Sequence, residues 1–179
     1  MIWDSVPWKR DLLRDAELLA RWSTKRHAAW VRQDFIIEKK VFLAAYAIRK
    51  LFEAEKLRTA LKQVNLKCVS YPRKVTTLTP LNSHQVDRHY DFGEPTEVLI
   101  NIRTLVDQII HSHVFMLTAD KLEHIDGFLV ASDRGKELRL LAISLHVFCD
   151  FMRSVGNDDA TEARIFIDSA TGNWTIANS

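Results

Sequence analysis

Arg103, Asp107 and His111 are each four residues apart, so on a helix they stand in one row along a flank. In such a row the arginine can hold the carboxylate, and the carboxylate can orient and charge-stabilise the imidazole. That makes His111 a candidate general acid or base and the trio Arg103, Asp107 and His111 a candidate catalytic set. The same residues also read as an ordinary polar flank laced by one ion pair, worth roughly a few tenths of a kcal/mol.

A second group lies near the N-terminus: Trp22, Lys25, Arg26, His27, Trp30 and Arg32. Aromatic rings stack on bases while Lys and Arg neutralise phosphates, so this composition suits nucleic-acid binding. It suits a protein or dimer interface equally, because Trp and Arg concentrate at binding hot spots. In the plainer reading the tryptophans are core anchors and the charges are solvated. His84, Asp87, His89 and Asp91 are close in sequence, but their spacing fits no ligand pattern and no metal is expected. His146 and Asp150 repeat the four-residue spacing and read as a surface pair.

The segment Asp107-Gln108-Ile109-Ile110-His111-Ser112 resembles the helix motif of the HEPN family, all-helical domains that include RNA-cleaving toxins. In that family an arginine followed by a polar residue, usually Asn or His, precedes a histidine one turn later. Here Val106 stands at the arginine position and Asp107 at the polar one, so His111 alone carries over. The preceding long helical stretch, Phe35 to Leu61, resembles a helix of such bundles. The resemblance implies a ribonuclease centred on His111, or an inactive or elaborated relative.

Several enzyme classes are excluded. No glycine occurs in residues 1–92, so no phosphate-cradling glycine loop can form there, and the chain has neither a nucleophile elbow nor a Cys-x-x-Cys pair. Nothing calls for a cofactor. Cys68 and Cys149 are isolated in apolar surroundings, as buried thiols in a reducing compartment would be.

The elements that must position these residues follow from breakers and periodicity. Between Pro7 and Pro72 the chain contains neither glycine nor proline, so helix can run through most of that stretch. Asp4 or Ser5 is placed to cap a first helix with Pro7 in its first turn, and a loosened turn is expected at residues 23–26. A longer helix is expected from Asp34 to Lys62. Its apolar arc is Ile37, Val41, Ala44, Ala45, Ile48, Leu51 and Phe52, with Lys39, Arg49, Lys50, Glu53 and Lys56 facing away. A short strand over Leu66–Tyr71 follows, then a long loop over 73–95 with one short strand at Val75–Thr79. Helical spacing predicts a third helix from about Pro95 to His113; Val114–Leu117 reads as either helix or strand. A hairpin is expected over 127–132 and 137–143. Ser144 then caps a short helix that stops at Gly156, and a second hairpin covers 164–167 and 174–176.

The expected architecture is a single α+β domain over residues 1–179: helical over 1–64, loop and strand over 65–95, helical over 96–116, and strand- and hairpin-rich over 117–179. Its N-terminal helices pack on a small antiparallel sheet, with a short helix between C-terminal hairpins. Of 25 Lys and Arg side chains, 17 lie in residues 1–74, against 8 of the 23 Asp and Glu. Such asymmetry suits either a nucleic-acid face or two halves that attract each other within one fold. With no run of roughly 20 apolar residues and no basic-then-apolar leader, a cytoplasmic location and no membrane partner are expected. The leading functional expectation is a bacterial interaction or regulatory protein without a clear catalytic site, acting through a protein partner or self-association. The alternatives are a nucleic-acid-binding protein using the basic N-terminal helices, and a HEPN-like ribonuclease.

Overall fold

The breaker-free N-terminal stretch forms two long helices in the computed structural model, which describes residues 2–22, 31–159, 163–167 and 174–178. The first, α1 (Val6–Trp22), starts where the Asp4 carboxylate accepts the Val6 N–H at 2.9 Å, and it tolerates Pro7 in its first turn. Leu12, Ala16 and Leu19 are its buried stripe. The second, α2 (Val31–Glu53), buries Ile37, Val41, Ala44, Ala45, Ile48 and Leu51, the arc that helical periodicity predicts.

α2 ends at Glu53, nine residues before the expected boundary at Lys62. Its C-terminus is closed by Glu55, whose φ of 56° turns the chain left-handed, while the Lys56 N–H bonds back to the Leu51 carbonyl at 3.0 Å. The reversal delivers Leu57 into the core, fully buried, and the one-turn helix α3 (Thr59–Lys62) follows. Arg58 is clasped by the buried Asp158 carboxylate through its backbone N–H (2.9 Å) and its Nε (2.5 Å).

The sheet has five antiparallel strands. β1 (Asn65–Pro72) is the expected strand. The segment expected to open the third helix is instead β2 (Thr96–Asn101), paired with β1 from Asn65↔Asn101 to Ser70↔Thr96. Leu99 matches the helical spacing by coincidence; it lies outward on an edge strand, 71% exposed. The helix begins only at α5 (Ile102–Ile110), where the Asn101 side chain accepts the Arg103 N–H at 3.0 Å. The undecided segment is strand, β3 (Ser112–Ala119). It forms a meander with β4 (Ile125–Ser132) and β5 (Arg139–Ser144), and β1 closes on β5, giving the order β2-β1-β5-β4-β3.

Ser144 stands at the N-cap of α6 (Leu145–Gly156), although its hydroxyl makes no capping bond. Gly156 ends that helix where α1 packs on it: a Cβ there would stand 2.5 Å from Leu13 Cγ and 3.1 Å from the Lys9 carbonyl oxygen. α1, α2, α5 and α6 share one core with one face of the sheet, centred on Phe128 and Phe148. β6 (Ala163–Ile167) and β7 (Trp174–Asn178) form the second expected hairpin; its connecting turn lies outside the described residues.

The long segment 73–95 covers the opposite face of the sheet. No strand forms at Val75–Thr79, and Val75 is fully exposed. A short helix, α4 (Val86–His89), places Val86 and Tyr90 against Val114, Leu129, Ala131 and Leu140 in a second, smaller core. β4 is therefore buried on both faces, Phe128 and Val130 toward the helices, Leu129 and Ala131 toward the cover. The architecture is α+β: helices on one face of an antiparallel sheet, and a helix between C-terminal strands.

Candidate functional site

α5 carries Thr104, Asp107 and Gln108 on its outer flank, because Ile102, Leu105, Val106 and Ile109 take the core face. His111 is the C-cap (φ −104°, ψ 28°); its N–H bonds to the Asp107 carbonyl at 3.0 Å and its ring is exposed. Two bonds join this end of α5 to the turn after β4. The His111 carbonyl accepts the Asp133 N–H and the Gln108 Oε1 accepts the Ser132 N–H, each at 3.0 Å. The Ser132 hydroxyl in turn accepts the Gly135 N–H at 3.0 Å. Gly135 leaves room for this join: a Cβ on it would lie 2.9 Å from the Gln108 Oε1, so the amide would have to shift.

Between these parts lies a cleft of about 540 Å³, lined by Arg49, Thr104, Asp107, Gln108, His111, Ser132, Asp133 and Arg134. The structure brings Asp107 and His111 together there, but the arginine that joins them is not Arg103. Arg103 is exposed at the start of α5, with no ion pair among the described residues. The guanidinium comes from α2: Arg49 Nη1 lies 3.0 Å from Asp107 Oδ1 and 3.2 Å from His111 Nε2, while its Nε donates to Glu53 at 2.9 Å. Arginine has no acceptor, so the Nε2 facing it presents its lone pair and the imidazole carries its proton on Nδ1. Glu53, through its hydrogen bond, and Asp107, through its charge, hold the Arg49 pKa above the ordinary arginine value. The negative end of α5 reinforces this placement of a cation.

On the opposite wall Asp133 accepts from Lys136 Nζ at 2.6 Å, and His113 Nδ1 lies 3.7 Å away. Lys136 above all, then His113 and Arg134, hold the Asp133 carboxyl below the usual carboxylate range. Both acids of the cleft are thus already matched by cations. Arg134 has no ion-pair partner among the described residues. Arg49 read in the sequence as a solvated residue of a long helix, and its i, i+4 partner Glu53 was the sole local signal. Nothing local links it to Asp107, 58 residues downstream.

The other candidate groups are placed differently. Trp22 is half-buried against the main core, whereas Lys25, Arg26, His27 and Trp30 lie outside the described residues, as does the Arg32 side chain. His89 is buried, with Nδ1 2.7 Å from the Thr76 hydroxyl and Nε2 3.2 Å from the Asn82 carbonyl. His84 and Asp87 are exposed, and Asp91 accepts the Gly93 N–H at 3.0 Å. Among the described residues no three His, Cys, Asp or Glu converge as a metal site. His146 and Asp150 form the expected surface pair at 2.9 Å. No described helix is long and apolar enough to cross a membrane. No family model matches the chain, nor does any curated protein or solved structure.

Proposed function

We propose that the chain is an interaction protein without a catalytic centre of its own, and that its cleft takes an anionic partner, a single-stranded nucleic acid backbone. One observation carries this reading: Asp107 and Asp133 each have a cation at 3.0 and 2.6 Å, while the exposed Arg134 guanidinium at the same cleft has no acid at ion-pair distance among the described residues and acts on Asp133 only through its longer-range charge. The group that completes such a site is an anion, and a guanidinium pairs with phosphate through two parallel bonds. Thr104, the Gln108 amide and Ser132 add hydrogen-bonding groups beside it.

The test is fluorescence anisotropy with labelled single-stranded RNA and DNA. Binding should weaken steeply from low to moderate salt, and Arg134→Ala should weaken it roughly tenfold at fixed salt. No binding at low salt, or binding indifferent to Arg134→Ala, would overturn the reading.

A second reading, ribonuclease activity at His111, is favoured by the exposure of that ring inside the cleft. RNA carries its own nucleophile. Once a phosphate draws Arg49 away from Nε2, His111 can accept the 2′-hydroxyl proton. The 2′-oxygen then bonds to phosphorus and the 5′-oxygen leaves with a solvent proton. RNA cleavage that disappears in His111→Ala would select this reading; binding without cleavage selects the first.

A further inference from the structure

α2 carries a second stripe that its packing leaves unused. Phe35, Lys39, Leu43, Tyr46, Lys50 and Glu53 recur at intervals of four and three residues, which puts them within roughly 40° of one line along the helix. That line is opposite the buried arc. A helix packed on one side presents polar residues on the other. Here the outward line instead holds Phe35, Leu43 and Tyr46, exposed by 61%, 49% and 45%. Beside it runs a groove of about 310 Å³ between α1 and α2, floored by Leu12 and Ala44, with Trp8 6.4 Å from the Tyr46 ring. An apolar ridge next to an apolar groove on one face is the shape that a two-fold interface needs, each copy supplying the ridge for the other's groove.

Charge selects the occupant. The stripe and the rim of the groove hold three acids and four bases: Asp11–Arg14 (2.5 Å), Asp15–Lys40 (2.6 Å) and Glu53–Lys50 (2.7 Å) pair within the chain, and Lys39 is left over among the described residues. One unmatched cation among paired charges has little pull on a polyanion, and an acid on a second copy can meet it. The geometry points to a second copy of this chain, bound with its α2 antiparallel to the first and the two-fold axis at Tyr46. Lys39 and Glu53 lie seven residues to either side of Tyr46, so each Lys39 meets the partner copy's Glu53. Lys39 has no ion-pair partner among the described residues. A register that sets Leu43 opposite Tyr46 would instead oppose Lys39 to Lys50, which like-charge repulsion disfavours. This surface meets the cleft only at Glu53, whose carboxylate accepts from Arg49 Nε at 2.9 Å, and the assignment does not depend on what the cleft binds.

The experiment is sedimentation of the full chain over a concentration series, wild type against Lys39→Glu, Glu53→Lys and Leu43→Glu. The wild type should dimerise, and Leu43→Glu should weaken the dimer at least roughly a hundredfold. Lys39→Glu and Glu53→Lys should each weaken it roughly tenfold, since each sets like charges against each other twice across the axis. An equimolar mixture of those two variants should dimerise within about threefold of wild type, because every cross-axis pair is then of opposite sign. The mixture also separates an interface effect from a folding defect, since a misfolded chain would not be restored by its complement. A wild type that stays monomeric to roughly 100 μM, a dimer indifferent to Leu43→Glu, or a mixture no tighter than either variant alone would overturn the assignment.

Discussion

His111 is held by an arginine rather than by the carboxylate one turn before it, and this changes what the ring can do. Arg49 Nη1 occupies the imidazole lone pair and the Asp107 carboxylate together, 3.2 and 3.0 Å away, so a ligand that competes for Arg49 also releases Nε2. A lysine could not replace it: one ammonium lacks the planar fork that reaches Glu53, Asp107 and His111. The thiols show the opposite situation. Cys68 and Cys149 are 2% and 0% exposed, and burial pushes them from 9.0 to about 11 and about 12. As the thiolate is the reactive form, neither should react with a thiol reagent in the native protein near pH 8, and both should react once denaturant is added. Stoichiometric labelling of either cysteine in the native state would contradict this burial.

At the scale of elements, the cleft depends on how firmly the end of α5 is joined to the turn after β4. Gly135 sits in that turn without a side chain because the Gln108 amide fills the space, and that amide accepts the Ser132 N–H. Gly135→Ala should displace Gln108 and leave the Ser132 N–H without its acceptor, costing about 1–3 kcal/mol. Chemical denaturation measures the loss. Gln108→Ala in the same chain clears the space but not the missing hydrogen bond, so the second substitution should add little. Fully additive losses would show that the two residues do not share one contact. The clasp at Asp158 works similarly at longer range, tying the end of α6 to Arg58 and to the Lys9 ammonium, which donates to the Asp158 carbonyl at 2.7 Å.

Over the whole molecule, part of the charge asymmetry along the chain is met inside the fold. Arg49, Arg58, Lys67 and Arg73 of the basic first part pair with Asp107, Asp158, Glu97 and Glu137 of the acidic second part. Stability should respond to alkali through the buried acids. Cys68, Cys149 and Tyr90 have ordinary values of 9.0, 9.0 and 10.0, and burial raises them to about 11, about 12 and about 12. A folded chain that holds its protons more tightly than the unfolded one is fully stabilised below the unfolded value. That stability is lost as pH rises through the folded values. Between pH 9.0 and about 11 each thiol should therefore cost about 1.4 kcal/mol per pH unit. Denaturation midpoints should fall across this window, and Cys68→Ala with Cys149→Ala should flatten the slope. A slope unchanged in that double variant would assign the alkaline loss to other groups.

The sequence determined whatever depends on neighbours a few residues apart. Asp4 and Pro7 at the start of α1, the arc Ile37 to Leu51 on α2, the hairpin across residues 133–136 and Gly156 at the end of α6 were all legible, because periodicity and breakers act locally. Where two local patterns fit one segment, tertiary pairing decided. Leu99 suits a helix by spacing, yet residues 96–101 are a strand, since β1 offered them a ladder. Glu55 is not a helix-stop residue type, yet it takes the left-handed turn just after α2 ends at Glu53, and that reversal buries Leu57. Likewise Asp107 and His111 stood out from spacing alone, whereas their arginine did not. An ion pair across 58 residues exists only after α2 has packed on α5, and no local pattern encodes that packing.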